Sequence, residues 1–463
     1  MCYPARRKVY VHFLGASSLS DGLLLHLMQG LQVQQPGTYW YHSHTKSQYP
    51  DGLRGMLVVN DPESPYLSHY DEEIVLSLSD WYHDQMPDLL RRYDSGAGMM
   101  PHDPLPNANL INDVHKPKIS VQAGKTYLVR LANIGAFVGQ YFWIEDHSMR
   151  IVEVDGVYTV LKETTCVYLS PGQRYAFLLT SKQESSTNYA MIARADLSGV
   201  SMHMNRPAHL DAEGWLAYNQ DANFPQATTL EKHVALDDML LEPRDGQGLL
   251  VDVDRTIQLN IDMHRREDGI VHWMFNNVNY KPPELPSLFT AVGAGKEALD
   301  AGIYGKSTQT FVLERGQVIE VIIQNNHMLN HPVHLHGHNF QITHRSGGGI
   351  SSSPVSQNPL RRDTIVVNGL GALRFRFRAD NPGVWIFHCH MEWHAHSGLV
   401  ATFVEAPMEL QKSHSSTIQL PTGSNRICVD GPGQSFEVGQ PSSNEEHYPS
   451  QGPDQSNLTL TAS

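Results

Sequence analysis

Three short stretches concentrate the side chains that hold transition metals. NHPVHLHGHNF places histidines at 331, 334 and 336, and VWIFHCHMEWHAHSGL sets Cys389 between His388 and His390 with His394 beyond. Far upstream, WYHSH adds His42 and His44. Imidazole and thiolate are the ligands of copper, zinc and iron, and the mixture selects among them. Structural zinc sites usually pair cysteines, and no CxxC occurs here. A thiolate with two imidazoles and a weak axial neighbour instead suits a blue-copper electron-transfer centre, and His331, Cys389 and His394 supply that set. The axial position, five residues past His394, is Leu399, which has no donor atom and should raise the reduction potential.

These residues need strands to position them. In a strand, residues i and i+2 share a face while i+1 points the other way. His388 and His390 then face one side and Cys389 the other, so one strand touches two metal sites joined covalently through the cysteine. His42 with His44, and His334 with His336, share a face in the same way.

The rest of the chain reads as β structure. YLVRLANI, MRIVEVDG, YAFLLTS, TIQLNID, VIEVIIQNN, RDTIVVNG and LRFRFRADNPG are short apolar or alternating runs between Gly, Asn, Asp and Pro turn signals. VQQPGTYWYHSH and RADNPGVWIFHCH repeat one unit: a Pro-Gly turn, an aromatic strand, then histidines spaced by two. Composition shifts suggest a partial first unit at 1–62, a second at 63–220, a third at 221–420, and a disordered polar tail at 421–463. With 463 residues the chain can bury several cores. Its net charge of −14 argues against nucleic acid or an anionic membrane as partner. No apolar run approaches the roughly eighteen residues that span a bilayer. The first fifteen residues do not read as a signal peptide, so secretion is not supported. Four cysteines are too few for a disulfide scaffold; Cys166 and Cys428 could pair, but nothing brings them together.

The motifs GTYWYHSHTKSQYPDGLRG, LSLSDWYHD, YFWIEDH, VEVDGVY, HPVHLHGH, RRDTIVV and ADNPGVWIFHCHMEWH resemble the multicopper oxidases, the family of laccases, ascorbate oxidase and fungal ferroxidases. The resemblance implies an all-β chain of three cupredoxin-like Greek-key β-sandwich domains, with copper of three types. It assigns His331, Cys389 and His394 to type 1 copper, His334 to type 2, and His42, His44, His336, His388 and His390 to the type 3 pair. Electrons from a donor would pass through Cys389 to reduce dioxygen to water, with Glu392 relaying protons.

The family's fourth ligand motif, HWHG, is expected ahead of HSH. The first thirty-odd residues contain only the isolated His12 and His26, so the first domain is expected to be incomplete and the start truncated or misassigned. For the donor, the resemblance offers two choices. Ferroxidases carry acids beside the type 1 histidines; Glu145 in WIEDH is expected to be one, but His327 stands where a second should be. A laccase-like oxidase of phenols or naphthols, with Glu145 accepting the phenolic proton and a place in pigment or secondary metabolism, is therefore the expectation. Ferroxidase is the alternative, with no permease partner evident; an inactive copper-binding fragment is the third reading.

Overall fold

The computed structural model describes residues 35–95, 103–184, 186–198, 210–226, 234–265, 267, 269–347, 356–417 and 461–462. The expected tail at 421–463 lies outside these except for 461–462, as do His12, His26 and Cys428. Strands between Glu72 and Ala217 form a six-stranded and a five-stranded sheet, and strands between Arg255 and Glu405 repeat that arrangement. A smaller sheet pairs Gly37–His42 antiparallel with Arg54–Val59. The all-β reading holds, and each of the seven runs singled out by its alternation contains a strand.

Alternation explains which side chains go where. In Thr126–Asn133, Tyr127, Val129 and Leu131 enter the main core, while Leu128 packs outside with Tyr66 and Val152. Arg130, on that outer face, hydrogen-bonds Thr38 Oγ1 at 3.1 Å and lies against Glu73 and Glu153. In Gly383–Cys389, Phe387 and Cys389 join the core beside Val333 and Leu335. That strand runs antiparallel to His331–Leu335, with Val333 opposite Cys389 and His334 opposite His388. The two metal-bearing strands are thus adjacent, and their registers match face to face.

The small sheet and the two sandwiches meet on buried charges. Arg174, with a fully buried side chain, holds Asp363 through two bonds of 2.6 and 2.7 Å, and its Nε donates to the Thr38 carbonyl at 3.0 Å. Asp155 accepts from the Arg174 backbone and pairs with Arg362 at 2.7 Å. Arg362 continues to Asp238 at 3.0 Å, which also meets Arg345 at 2.6 Å. One network therefore ties the strand before HSH to both sandwiches. Breaking a buried pair strands its partner charge, which typically costs about 3–5 kcal/mol. Arg174→Met is expected to lose stability on that order in denaturant titration, whereas a surface exchange such as Arg91→Met should change it little.

Burial alone would raise the Asp238 carboxyl, but the Arg345 and Arg362 guanidiniums hold it below the usual aspartate value. Its contribution to stability is therefore complete above the unfolded aspartate value, about 3.9, and is lost as pH falls through the lowered folded value. Asp238→Asn is expected to flatten that acid limb of the stability curve measured by thermal unfolding across pH 3–6.

Candidate metal centres

Strand ends deliver the ligands. His42 closes Gly37–His42, His331 and His334 lie in His331–Leu335 with His336 just after it, and His388 and Cys389 end Gly383–Cys389 with His390 following. The short helix Glu392–His396 then turns His394 back onto Cys389. Two sets of donor atoms converge among the described residues: His331, Cys389 and His394, and His44, His336 and His388.

In the first set, Cys389 Sγ lies 3.7 Å from His331 Nδ1 and 3.6 Å from His394 Nδ1, and the two nitrogens are 3.0 Å apart. A point equidistant from these three atoms is about 2.0 Å from each, roughly a metal–imidazole bond length. All three residues are fully buried. Burial, then the His394 and His327 imidazoles, lowers His331 well below its ordinary value, and burial raises the Cys389 thiol. Two buried imidazoles, one of them held neutral at His331, beside a thiol that only a cation would ionise are the donor chemistry of a copper site. Leu399 is fully buried, and its carbonyl accepts from Cys389 N at 3.1 Å.

The second centre lies on the opposite face of the same strands. His336 Nε2 and His388 Nε2 face each other at 3.2 Å. His388 Nδ1 is committed to the Cys389 carbonyl at 2.8 Å, and His334 Nδ1 to the Asp363 carbonyl at 2.8 Å, so their Nε2 lone pairs point inward. Burial pushes His334 down to about 4 and, with help from His334, His388 down to about 3. Nε2 of His42 and His334 and both ring nitrogens of His390 are buried with no hydrogen-bond partner. Orphaned lone pairs turned toward one another fit cations held between them. Trp40 stacks on His42 with ring centroids 4.3 Å apart, and a side chain at Gly172, where φ is +88°, would strike His390.

Six of the nine residues that the sequence pointed to as ligands fall into these two sets, which meet at Cys389; His42, His334 and His390 lie beside the second, with His334 and His336 ring centroids 4.6 Å apart and those of His42 and His390 5.3 Å apart. The acids fall differently. Glu145 lies in the turn just past the strand Gln140–Ile144, where the indole Nε1 of Trp143 donates to it at 2.9 Å. The carboxylate that hydrogen-bonds a type 1 histidine is Asp103, whose Oδ2 lies 3.0 Å from His394 Nε2. Sequence reading missed it because the pair spans 291 positions and two sandwiches. Trp273, also missed, packs over His394, His331 and His327 with centroids 4.2, 4.8 and 4.9 Å away. Glu392 is partly buried; desolvation raises its carboxyl, and Ser47, in the loop after HSH, opposes that rise.

A cysteine–imidazole centre joined through one cysteine to a histidine cluster is the donor arrangement of a copper protein built on cupredoxin-like sandwiches. Three family profiles, each described as Multicopper oxidase, match residues 28–64, 72–221 and 280–409. The chain belongs to the multicopper oxidase family. The Iron transport multicopper oxidase fetC of Epichloe festucae is 46% identical over 410 residues, covering 86% of this chain and 65% of its own length. The Iron transport multicopper oxidase FET3 of Gibberella zeae is 42% identical over 405 residues, with 86% and 64% covered. The crystal structure of Fet3p, a multicopper oxidase that functions in iron import, superposes with TM-score 0.80 at 36% identity, over 85% of this chain and 76% of that one. A laccase from Botrytis aclada gives 0.70 at 25% identity, over 87% and 74%. The chain spans about 65% of the length of the curated relatives it matches.

Cys389→Ser is expected to abolish the thiolate-to-copper absorption of the copper-loaded protein and to lower its copper content by about one ion, because only one face of the strand loses its donor. Absorption and metal analysis check this; a variant that stays blue would contradict the assignment.

Proposed function

We propose that the chain oxidises ferrous iron and passes the electrons to dioxygen. This reverses the preference drawn from sequence, which favoured phenols and naphthols and a pigment pathway. That preference rested on Glu145 as the single acid and His327 as a lost one. The observation that carries the iron reading is Asp103, a hard carboxylate oxygen donor hydrogen-bonded to His394 at 3.0 Å. The iron-transport names of the relatives support it.

Copper bound by these residues supplies one-electron transfer at the Cys389 site and dioxygen reduction at the histidine cluster. The chain supplies the path and the setting. Asp103 presents anionic oxygen, which favours the ferric product over the ferrous substrate. His394 connects that carboxylate to Cys389 Sγ, 3.6 Å from its Nδ1. The Cys389 backbone then leads to His388 and His390 without leaving the strand. Trp273 excludes water from the imidazole faces. Glu392 carries protons toward the cluster, beside Ser47. Among the described residues no helix is long and apolar enough to cross a membrane.

Copper-loaded protein is expected to consume dioxygen faster with ferrous iron than with a dihydroxynaphthalene. Asp103→Ala should lower kcat/KM for iron by roughly 10- to 100-fold, the worth of one charge-assisted hydrogen bond of about 1.5–3 kcal/mol. The naphthol rate should not fall, since no hard oxygen ligand is required there and loss of the carboxylate does not weaken the oxidant. A naphthol turned over faster than iron by the unaltered protein would overturn the reading.

A further inference from the structure

Asp103 has two oxygens, and only one of them faces the metal centre. Oδ2 meets His394; Oδ1 lies 3.2 Å from the hydroxyl of Tyr93, at the end of the helix Met86–Asp94. A carboxylate can only accept, so the phenol donates to it. The Tyr93 oxygen in turn lies 3.0 Å from Ser397 Oγ, whose single proton it shares with the Trp393 carbonyl at 2.7 Å. Ser397 directly follows the helix that carries His394. The polar chain therefore closes on itself: His394, Asp103, Tyr93, Ser397, and back to the His394 helix.

The Tyr93 ring is fixed independently of its hydroxyl. It packs on Trp393 with centroids 5.4 Å apart, and Trp393 donates its indole proton to Tyr82 at 3.1 Å. The helix is held a second time by Asp94, whose oxygens lie 3.0 and 3.1 Å from His396 Nε2. Among the described residues, the hydrogen bonds of the Asp103 side chain are those to His394 and Tyr93. Asp103 sits in an extended loop, outside any strand or helix, and its side chain is 11% exposed. A carboxylate in a loop rotates unless both oxygens are engaged, because one bond leaves its terminal torsion broad.

We propose that Tyr93 is a positioning residue for the oxidation site: its hydroxyl holds Asp103 against His394. The helix of the second sandwich thereby sets how strongly an imidazole of the third can donate. With Oδ1 anchored, the negative charge stays on the His394 Nε2 proton and favours the oxidised centre. Without the anchor, the carboxylate spends part of its time turned away, the imidazole becomes the poorer donor, and the reduction potential rises. The consequence for iron rests on the ferroxidase reading above, since the same carboxylate is there the iron ligand. The consequence for the potential does not.

Tyr93→Phe removes one oxygen and keeps the ring, so the packing on Trp393 survives and copper-loaded protein should unfold at the unaltered temperature. The first readout is the type 1 absorption and its potential, titrated with a small redox mediator in the absence of iron. The potential is expected to rise in the direction given by Asp103→Asn, by a smaller amount. The second readout is iron kinetics, where KM should increase by roughly 3- to 10-fold, the range of one neutral hydrogen bond. The third is the double variant: if Tyr93 acts through Asp103, adding Tyr93→Phe to Asp103→Asn should change nothing further. A potential identical to the unaltered protein would overturn the proposal, as would a Tyr93→Phe effect that persists in full beside Asp103→Asn. A raised potential in a protein that proves indifferent to iron would leave the positioning role standing and remove the ferroxidase reading instead.

Discussion

The guanidinium of Arg174 has no access to water, so its donors must be met by protein, and the groups that meet them come from the small sheet and from both sandwiches. Asp363, from the third sandwich, takes two of its bonds; Thr38, from the sheet that leads into His42, takes another. The Asp363 carbonyl simultaneously fixes the His334 ring at 2.8 Å. A buried charge is poor evidence of net stability, since its desolvation is costly. Its value here is geometric: a cation that tolerates only one arrangement of acceptors makes the approach of the HSH strand to the histidine cluster specific.

Within that frame the strand period does the rest. Val333 lies opposite Cys389 and His334 opposite His388, so the odd positions of one strand and the cysteine of the next share a face, and the even histidines share the other. Two sites on opposite faces of a sheet are normally separated by its thickness; here a single residue belongs to both. The helix that returns His394 to Cys389 also places His394 Nε2 outward, where Asp103 reaches it. Electron donor, relay and acceptor are in this way arranged along one ring and one residue of backbone.

What could be read from the sequence was what depends on neighbours in the chain. The strands declared themselves by alternation, and HLH, HSH and HCH by their spacing of two. The two convergent donor sets are built on those same spacings. Contacts made across the fold were invisible: Arg174 meets Asp363 over 189 positions, and Asp103 meets His394 over 291. WIEDH marks Glu145 by its motif, whereas the acid that hydrogen-bonds His394 sits between prolines in PHDPLP, where nothing local marks it. Tyr93 likewise carries no local sign of the Asp103 carboxylate that its hydroxyl meets. Substrate preference is written in these cross-domain contacts, which is why the choice between phenol and iron shifted while the metal ligands did not.

The most direct test separates electron uptake from dioxygen reduction. Copper-loaded protein is mixed anaerobically with ferrous iron or with a dihydroxynaphthalene in a stopped-flow instrument, and the decay of the thiolate-to-copper absorption is followed. The arrangement of Asp103, His394 and Cys389 predicts rapid bleaching by iron, slowed when Asp103 is replaced, and slower bleaching by the naphthol. Faster bleaching by the naphthol, or iron bleaching indifferent to Asp103, would contradict it.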